Sequence, residues 1–160
     1  MIKTNDLGRF FKLKAAQAEN ERQAANRGFE NADKKTSLGA TKAYADAIGG
    51  YTSLLEKHRY EELSKFVSEN GIGETVSVEE IDRRLAAMEP QISDVRSEIN
   101  RTRYSDGYEP SSEVHRLGEL EREQAKLTAL REYLVKPALV EEIKAFLASV
   151  HPGATQALGI

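Results

Sequence analysis

Arg101, Arg103, Tyr104, Tyr108, His115 and Arg116 gather around one short polar turn, Ser105-Asp106-Gly107-Tyr108. Tyrosine and arginine bring large contact area and directional donors at modest entropic cost, which is the chemistry of a protein-binding hot spot. The same residues have a purely structural reading. Arginines at the C-terminal end of a helix complement its dipole, and tyrosines can cover the end of a helical seam. A second set, Arg9, Lys12, Lys14, Arg22, Arg27, Lys34 and Lys35, lies beside Phe10 and Phe11, with Lys42 just beyond. It suits a phosphate backbone or an acidic protein surface. It equally suits docking on the acidic helices of the same chain.

Catalytic chemistry finds no foothold. His58, His115 and His151 are far apart and lack metal-ligand spacing. There is no HExxH, P-loop, GxGxxG or GxSxG. With no cysteine, disulfides, thiolate metal sites and thiol nucleophiles are excluded. Runs such as Glu119-Leu120-Glu121-Arg122-Glu123 alternate sign and read as solvated helix faces with i,i+4 pairing. No catalytic residue, metal site or cofactor is therefore expected, and the chain reads as a non-enzyme.

The elements that must position the two clusters are helices. Ile81, Leu85, Met88, Ile92, Val95 and Ile99 recur at alternating spacings of four and three. Leu117, Leu120, Leu127, Leu130 and Leu134 answer them across the turn. Folding the chain near residue 107 sets Ile81 opposite Leu134, Leu85 opposite Leu130, Met88 opposite Leu127 and Val95 opposite Leu120. This predicts an antiparallel coiled-coil hairpin over about 78–135, with a reach of roughly 39 Å at 1.5 Å per residue. Ser77 with Glu80 forms a capping box at its start. Pro90 should kink the first helix without breaking the heptad phase, and Ser111 or Ser112 should cap the return helix. Gln124 and Arg131 fall on the seam. They would fix register or admit another helix, unless their stems snorkel and carry the polar heads to water.

Residues 5–33 read as a first helix along the line Leu7, Phe11, Ala15, Ala18, Arg22, Ala25, Phe29 and Ala32. This narrow, mostly alanine seam buries little area and needs a partner; the two-helix arm in turn should be covered by residues 5–33 or by a second subunit. Asp33 to Ser37 breaks the pattern. Residues 37–69 read as one helix, or two split at Gly49-Gly50, with Ala45, Ile48, Leu55, Leu63 and Phe66 on the buried face; Asn70-Gly71-Ile72-Gly73 stops it. After Pro137, Leu139, Val140, Ile143, Phe146, Leu147 and Val150 form a broad apolar face of the kind found in a globular core.

The expected fold class is all-α, a long antiparallel coiled-coil hairpin attached to a small helical body built from residues 37–69 and 138–150. The segments are a basic Ala-rich helix (1–36), a helical segment of the body (37–73), the hairpin arm (77–135), a C-terminal core helix (137–151) and a loose tail (152–160). Across 160 residues, 31% charged and 39% hydrophobic suit helices with long solvated faces. No apolar run approaches the length of a membrane span, and no signal-peptide core opens the chain, so a cytoplasmic setting is expected, with signal-less secretion as the alternative.

Net charge is −3 but uneven. Residues 1–45 hold nine Lys and Arg against five Asp and Glu, and the rest holds fourteen against twenty-one. An acidic body repels nucleic acid, so any such role falls to residues 1–60. There, Ala45, Ile48, Gly49 and Leu55 fit the tight-turn spacing of a helix-turn-helix. A DNA-binding head followed by a helical oligomerisation hairpin resembles phage small terminase subunits in layout and length, with no shared motif. The resemblance implies nucleic-acid binding or packaging. The leading expectation is a protein-interaction module, adaptor, assembly factor or inhibitor, that binds a protein partner through the hairpin and its tip. Nucleic-acid binding and a structural homo-oligomer are the alternatives.

Overall fold

A computed structural model describes residues 2–69 and 73–151. The expected tail at 152–160 and most of the stop signal at 70–72 lie outside these. The elements run β1 (Ile2–Lys3), α1 (Thr4–Asn31), α2 (Ser37–Glu69), β2 (Thr75–Val76), α3 (Val78–Asp106), α4 (Ser111–Val135) and α5 (Pro137–Val150). The fold is all-α apart from the two-stranded pairing of β1 with β2. The chain forms two compact units, Lys3–Glu74, and Met1–Ile2 with Thr75–Ile160.

In the second of these, α3 and α4 form the expected antiparallel hairpin. Ile81, Met88, Ile92, Val95 and Ile99 are buried from α3, and Leu127, Leu130 and Leu134 from α4. Two cross-helix ion pairs bracket the register, Arg131–Asp82 at 2.5 Å and Arg96–Glu121 at 2.6 Å. They lie two residues to either side of the pairing that sets Leu85 against Leu130 and Val95 against Leu120. Arg131 thus brings its charge out to Asp82, the snorkelling alternative for that seam position. Gln124 is half-buried beside Ile92 and Arg96.

Ser77 caps α3, its Oγ accepting the Glu80 N–H at 3.2 Å. The helix continues through Pro90 and ends at Gly107, whose φ of 72° is the left-handed C-cap glycine tolerates. Neither Ser111 nor Ser112 caps α4. The Pro110 carbonyl accepts the Val114 N–H at 3.0 Å, so the helix begins one position early and Ser111 is already its first residue. Pro137 opens α5, where its missing N–H costs nothing. α5 packs on α4 and buries Leu139, Ile143 and Leu147.

In the other unit α1 and α2 form a second antiparallel hairpin. The partner that the narrow α1 seam requires is α2. Residues 37–69 fall in this unit and 138–150 in the other. At one end the interior is aromatic: Phe11 stacks on Tyr60 at 6.2 Å and lies 5.8 Å from Phe10. Towards the connecting turn it narrows to Ala43, Gly50 and Ala25, where an added Cβ on Gly50 would sit 3.6 Å from the Ala25 Cβ. The Ser64 hydroxyl donates to the Gly8 carbonyl at 3.0 Å across the pair.

In the turn, Asp33 accepts the Lys35 N–H and Thr36 Oγ1 accepts the Gly39 N–H, which caps α2. α2 is a single helix through Gly49-Gly50, so the tight turn of a helix-turn-helix is not made there. The face expected to be buried is also corrected. Leu63 and Phe66 are inside, but Ala45, Ile48 and Leu55 are exposed. The buried set is Ala43, Gly50 and Ser53 in the first half of the helix, too small or polar to register as an apolar stripe, and Tyr60, Leu63, Ser64, Phe66 and Val67 in the second.

Candidate functional site

The tip of the α3–α4 hairpin is assembled by the Gly107 cap, which turns the chain, and by Pro110, which starts the return helix. Tyr104 is 88% exposed and Tyr108 59%. Both lie beyond Ile99, the last buried residue of the α3 seam. The surrounding charges are largely engaged with one another. Arg101 Nη2 meets Glu98 Oε1 at 2.8 Å, Arg103 is paired with Glu109, and His115 Nε2 lies 3.2 Å from Glu119 Oε1. Arg116 is exposed next to Glu113, whose carboxyl is held below its ordinary range by the Ser112 hydroxyl, its own backbone N–H and, more weakly, Arg116. Between Glu98 and Arg116, three arginines face four carboxylates. The tip is therefore an aromatic surface with balanced charge, not the basic-aromatic one the residue types suggest. A carboxylate within one turn of each arginine supplies the compensation.

The N-terminal basic residues do not converge on one patch. At about 100° per residue, Lys14 and Arg22 leave the side of α1 that carries Arg9 and Arg27. Lys14 is half-buried, its Nζ 5.8 Å from the Tyr60 ring centre, and Lys34 sits 3.9 Å over the Phe29 ring. Arg22 is committed to Glu19, with bonds of 3.0 and 2.7 Å. Arg9, Lys12, Arg27 and Lys35 are exposed.

Glu19 itself was not singled out by sequence reasoning. It gathers Arg22, Gln23 at 3.0 Å and, from α2, Lys57 at 3.1 Å. These donors, Arg22 foremost, pull its carboxyl far below the usual range. Glu19 and Lys57 line an open groove of about 510 Å³ between α1 and α2, with Lys12, Glu61, Lys65 and Glu69 around them and Ala15 and Ala16 among its walls. Its charges balance, and it reads as an interhelical clamp.

A smaller apolar hollow of about 210 Å³ lies between Ile2, Val76, Val78, Leu134, Val140 and Ile143. Among the described residues, no group of three His, Asp or Glu is placed to hold a metal ion, and no helix is long and apolar enough to cross a membrane.

The other feature missed in the sequence is the outer face of α2. Tyr44, Ile48, Tyr51 and Leu55 are 70%, 51%, 63% and 52% exposed. Their spacings of four, three and four were the available signal. Comparison with protein-family models, with curated proteins and with solved structures returns no match for this chain.

Proposed function

We propose that the chain is a non-enzymatic, cytoplasmic interaction protein, an adaptor, assembly factor or inhibitor, that engages a protein partner through the tip of the α3–α4 hairpin. The observation that carries this reading is the pair Tyr104 and Tyr108, exposed at the far end of a seam that no longer needs them. Large exposed aromatics cost a solvated helix end nothing to omit, and they are the residues from which hot spots are built. Arg101 and Arg103, already fixed by Glu98 and Glu109, present their guanidinium edges in a set geometry, which lowers the entropy lost on docking. Charge balance at the tip favours a partner surface of mixed charge, with modest salt dependence of association.

The test is affinity capture from the source cells, with wild type and the triple variant Arg103→Ala, Tyr104→Ala, Tyr108→Ala side by side. Hot-spot truncation costs about 2 kcal/mol or more, so captured partner should fall by roughly thirtyfold. Helicity and melting temperature should stay at wild-type values, because the residues removed are exposed and the Arg103–Glu109 pair is a surface ion pair of small worth. Undiminished capture by the triple variant refutes the tip as the docking site.

A further inference from the structure

We infer that the outer face of α2 is a self-association seam, on which a second copy of this chain docks its own α2 antiparallel about a two-fold axis near Gly49-Gly50. The first support is the pattern. Tyr44, Ile48, Tyr51 and Leu55 follow a heptad on the side of α2 turned away from its buried line. An isologous contact must be self-complementary, each residue meeting the mirror position of its twin. Centred between positions 49 and 50, the stripe meets this condition throughout: Tyr44 faces Leu55 of the other copy, and Ile48 faces Tyr51. No apolar member is left opposite a charge.

The second support is charge depletion. In a chain with 31% charged residues, the stretch from Leu38 to Leu55 carries only Lys42 and Asp46. Asp46 is turned inward against Gly28. The positions that flank the stripe, Ala40, Ala45, Ala47 and Thr52, are small and neutral, which lets two helices approach closely. Loss of charge at the centre with aromatic enrichment is the compositional mark of an interface core. The third support is area. Four such side chains at these exposures offer roughly 500 Å² per copy, so two copies remove roughly 1,000 Å² from water, the lower bound for a specific interface. The open space over Gly49, where an added Cβ would meet nothing within 4 Å, lies beside the axis.

The seam is tested with the full chain by light scattering across a hundredfold concentration range, together with site-directed crosslinking. Wild type should pass from monomer to dimer. The variant Ile48→Glu, Tyr51→Glu places four carboxylates within one two-fold contact and should weaken the dimer by about a hundredfold or more at unchanged helicity. The chain has no native cysteine to interfere. When Ile48→Cys and Tyr51→Cys chains are mixed, oxidation should favour the disulfide between the two variants over either homodimeric disulfide. A monomeric mass throughout, preferential Ile48→Cys self-crosslinking, or a dimer indifferent to the double Glu variant each overturns the inference. So does a monomer that binds lipid vesicles through this face. None of these outcomes bears on the tip, whose triple variant leaves the α2 face intact.

Discussion

The narrow end of the α1–α2 pair makes a quantitative prediction about Gly28. A Cβ built there would lie 2.5 Å from Asp46 Oδ2 and 2.9 Å from its Cγ. That Oδ2 is buried with no hydrogen-bond partner. Gly28→Ala should gain about 0.8–1 kcal/mol of helix propensity. Against this, Asp46 must leave its position or the helices must part, and overpacking of this kind costs about 1–3 kcal/mol. The net effect is a loss of about 1 kcal/mol.

With Asp46→Ala in place the obstacle is gone and Gly28→Ala should instead stabilise by about 1 kcal/mol, a coupling of about 2 kcal/mol between the two sites. Asp46→Ala alone should stabilise by about 1 kcal/mol or more, since it removes an unpartnered buried oxygen and adds a better helix former. Gly118→Ala in α4 is the control: an added Cβ there meets only Arg122 Nη2 at 3.9 Å, an ordinary contact, so the full propensity gain should appear. Urea unfolding followed by far-UV circular dichroism, at one fixed protein concentration, measures all five proteins. If Gly28→Ala stabilises as much as Gly118→Ala, or the cycle shows no coupling, the close approach of α1 to α2 at this point is wrong.

Leu127 is fully buried in the α3–α4 seam while Leu85 is only half-buried, so Leu127→Ala should cost about 2–5 kcal/mol and Leu85→Ala clearly less by the same denaturation assay. Cysteines placed at 85 and 130 should oxidise efficiently to an intrachain disulfide, whereas a preference for 85 with 123 would shift the register by a heptad. Acid should loosen both hairpins: Arg22, Gln23 and Lys57 hold Glu19 below its ordinary 4.5, and Arg131 holds Asp82 below 3.8. A carboxyl with a depressed folded value contributes stability that is present above its unfolded value and lost as pH falls below it. Melting temperature should therefore decline from about pH 5 downwards, and more gently in Glu19→Gln, Asp82→Asn; an identical decline in that variant would refute the assignment.

The α3–α4 hairpin was legible because its seam is written in large aliphatic residues. Ile81, Met88, Ile92, Val95, Ile99, Leu127, Leu130 and Leu134 announce a heptad by hydrophobicity alone, and Gly107 and Ser77 mark its turn and its start through backbone chemistry. The α1–α2 hairpin was half legible. The α1 line from Leu7 to Ala18 is buried as its spacing indicated, and Leu63 and Phe66 are buried on α2, but in the first half of α2 the buried residues are Ala43, Gly50 and Ser53. Small residues allow helices to approach closely and leave almost no hydropathy signal, so the eye is drawn to Ile48 and Leu55 on the other side. The balanced charge of the tip was hidden for a related reason. Counting Arg101, Arg103 and Arg116 together treats them as a field, whereas Glu98 and Glu109 neutralise two of them at contact distance.

The first half of α2 buries Ala43, Gly50 and Ser53 and exposes Tyr44, Ile48, Tyr51 and Leu55, whereas its second half buries Tyr60, Leu63, Phe66 and Val67. A half-helix whose small side turns to a tight intramolecular partner and whose large side turns to solvent inverts the usual rule that hydrophobicity points inward. Such an inversion costs solubility unless the outer stripe is covered at working concentration. The tip differs in kind: Tyr104 and Tyr108 are two rings on a charged, balanced surface, which a monomer tolerates indefinitely. The exposed α2 stripe and the exposed tip therefore differ in form, one continuous and self-matching along a helix, the other two rings at a hairpin end, and the two proposed contacts are separable by mutation.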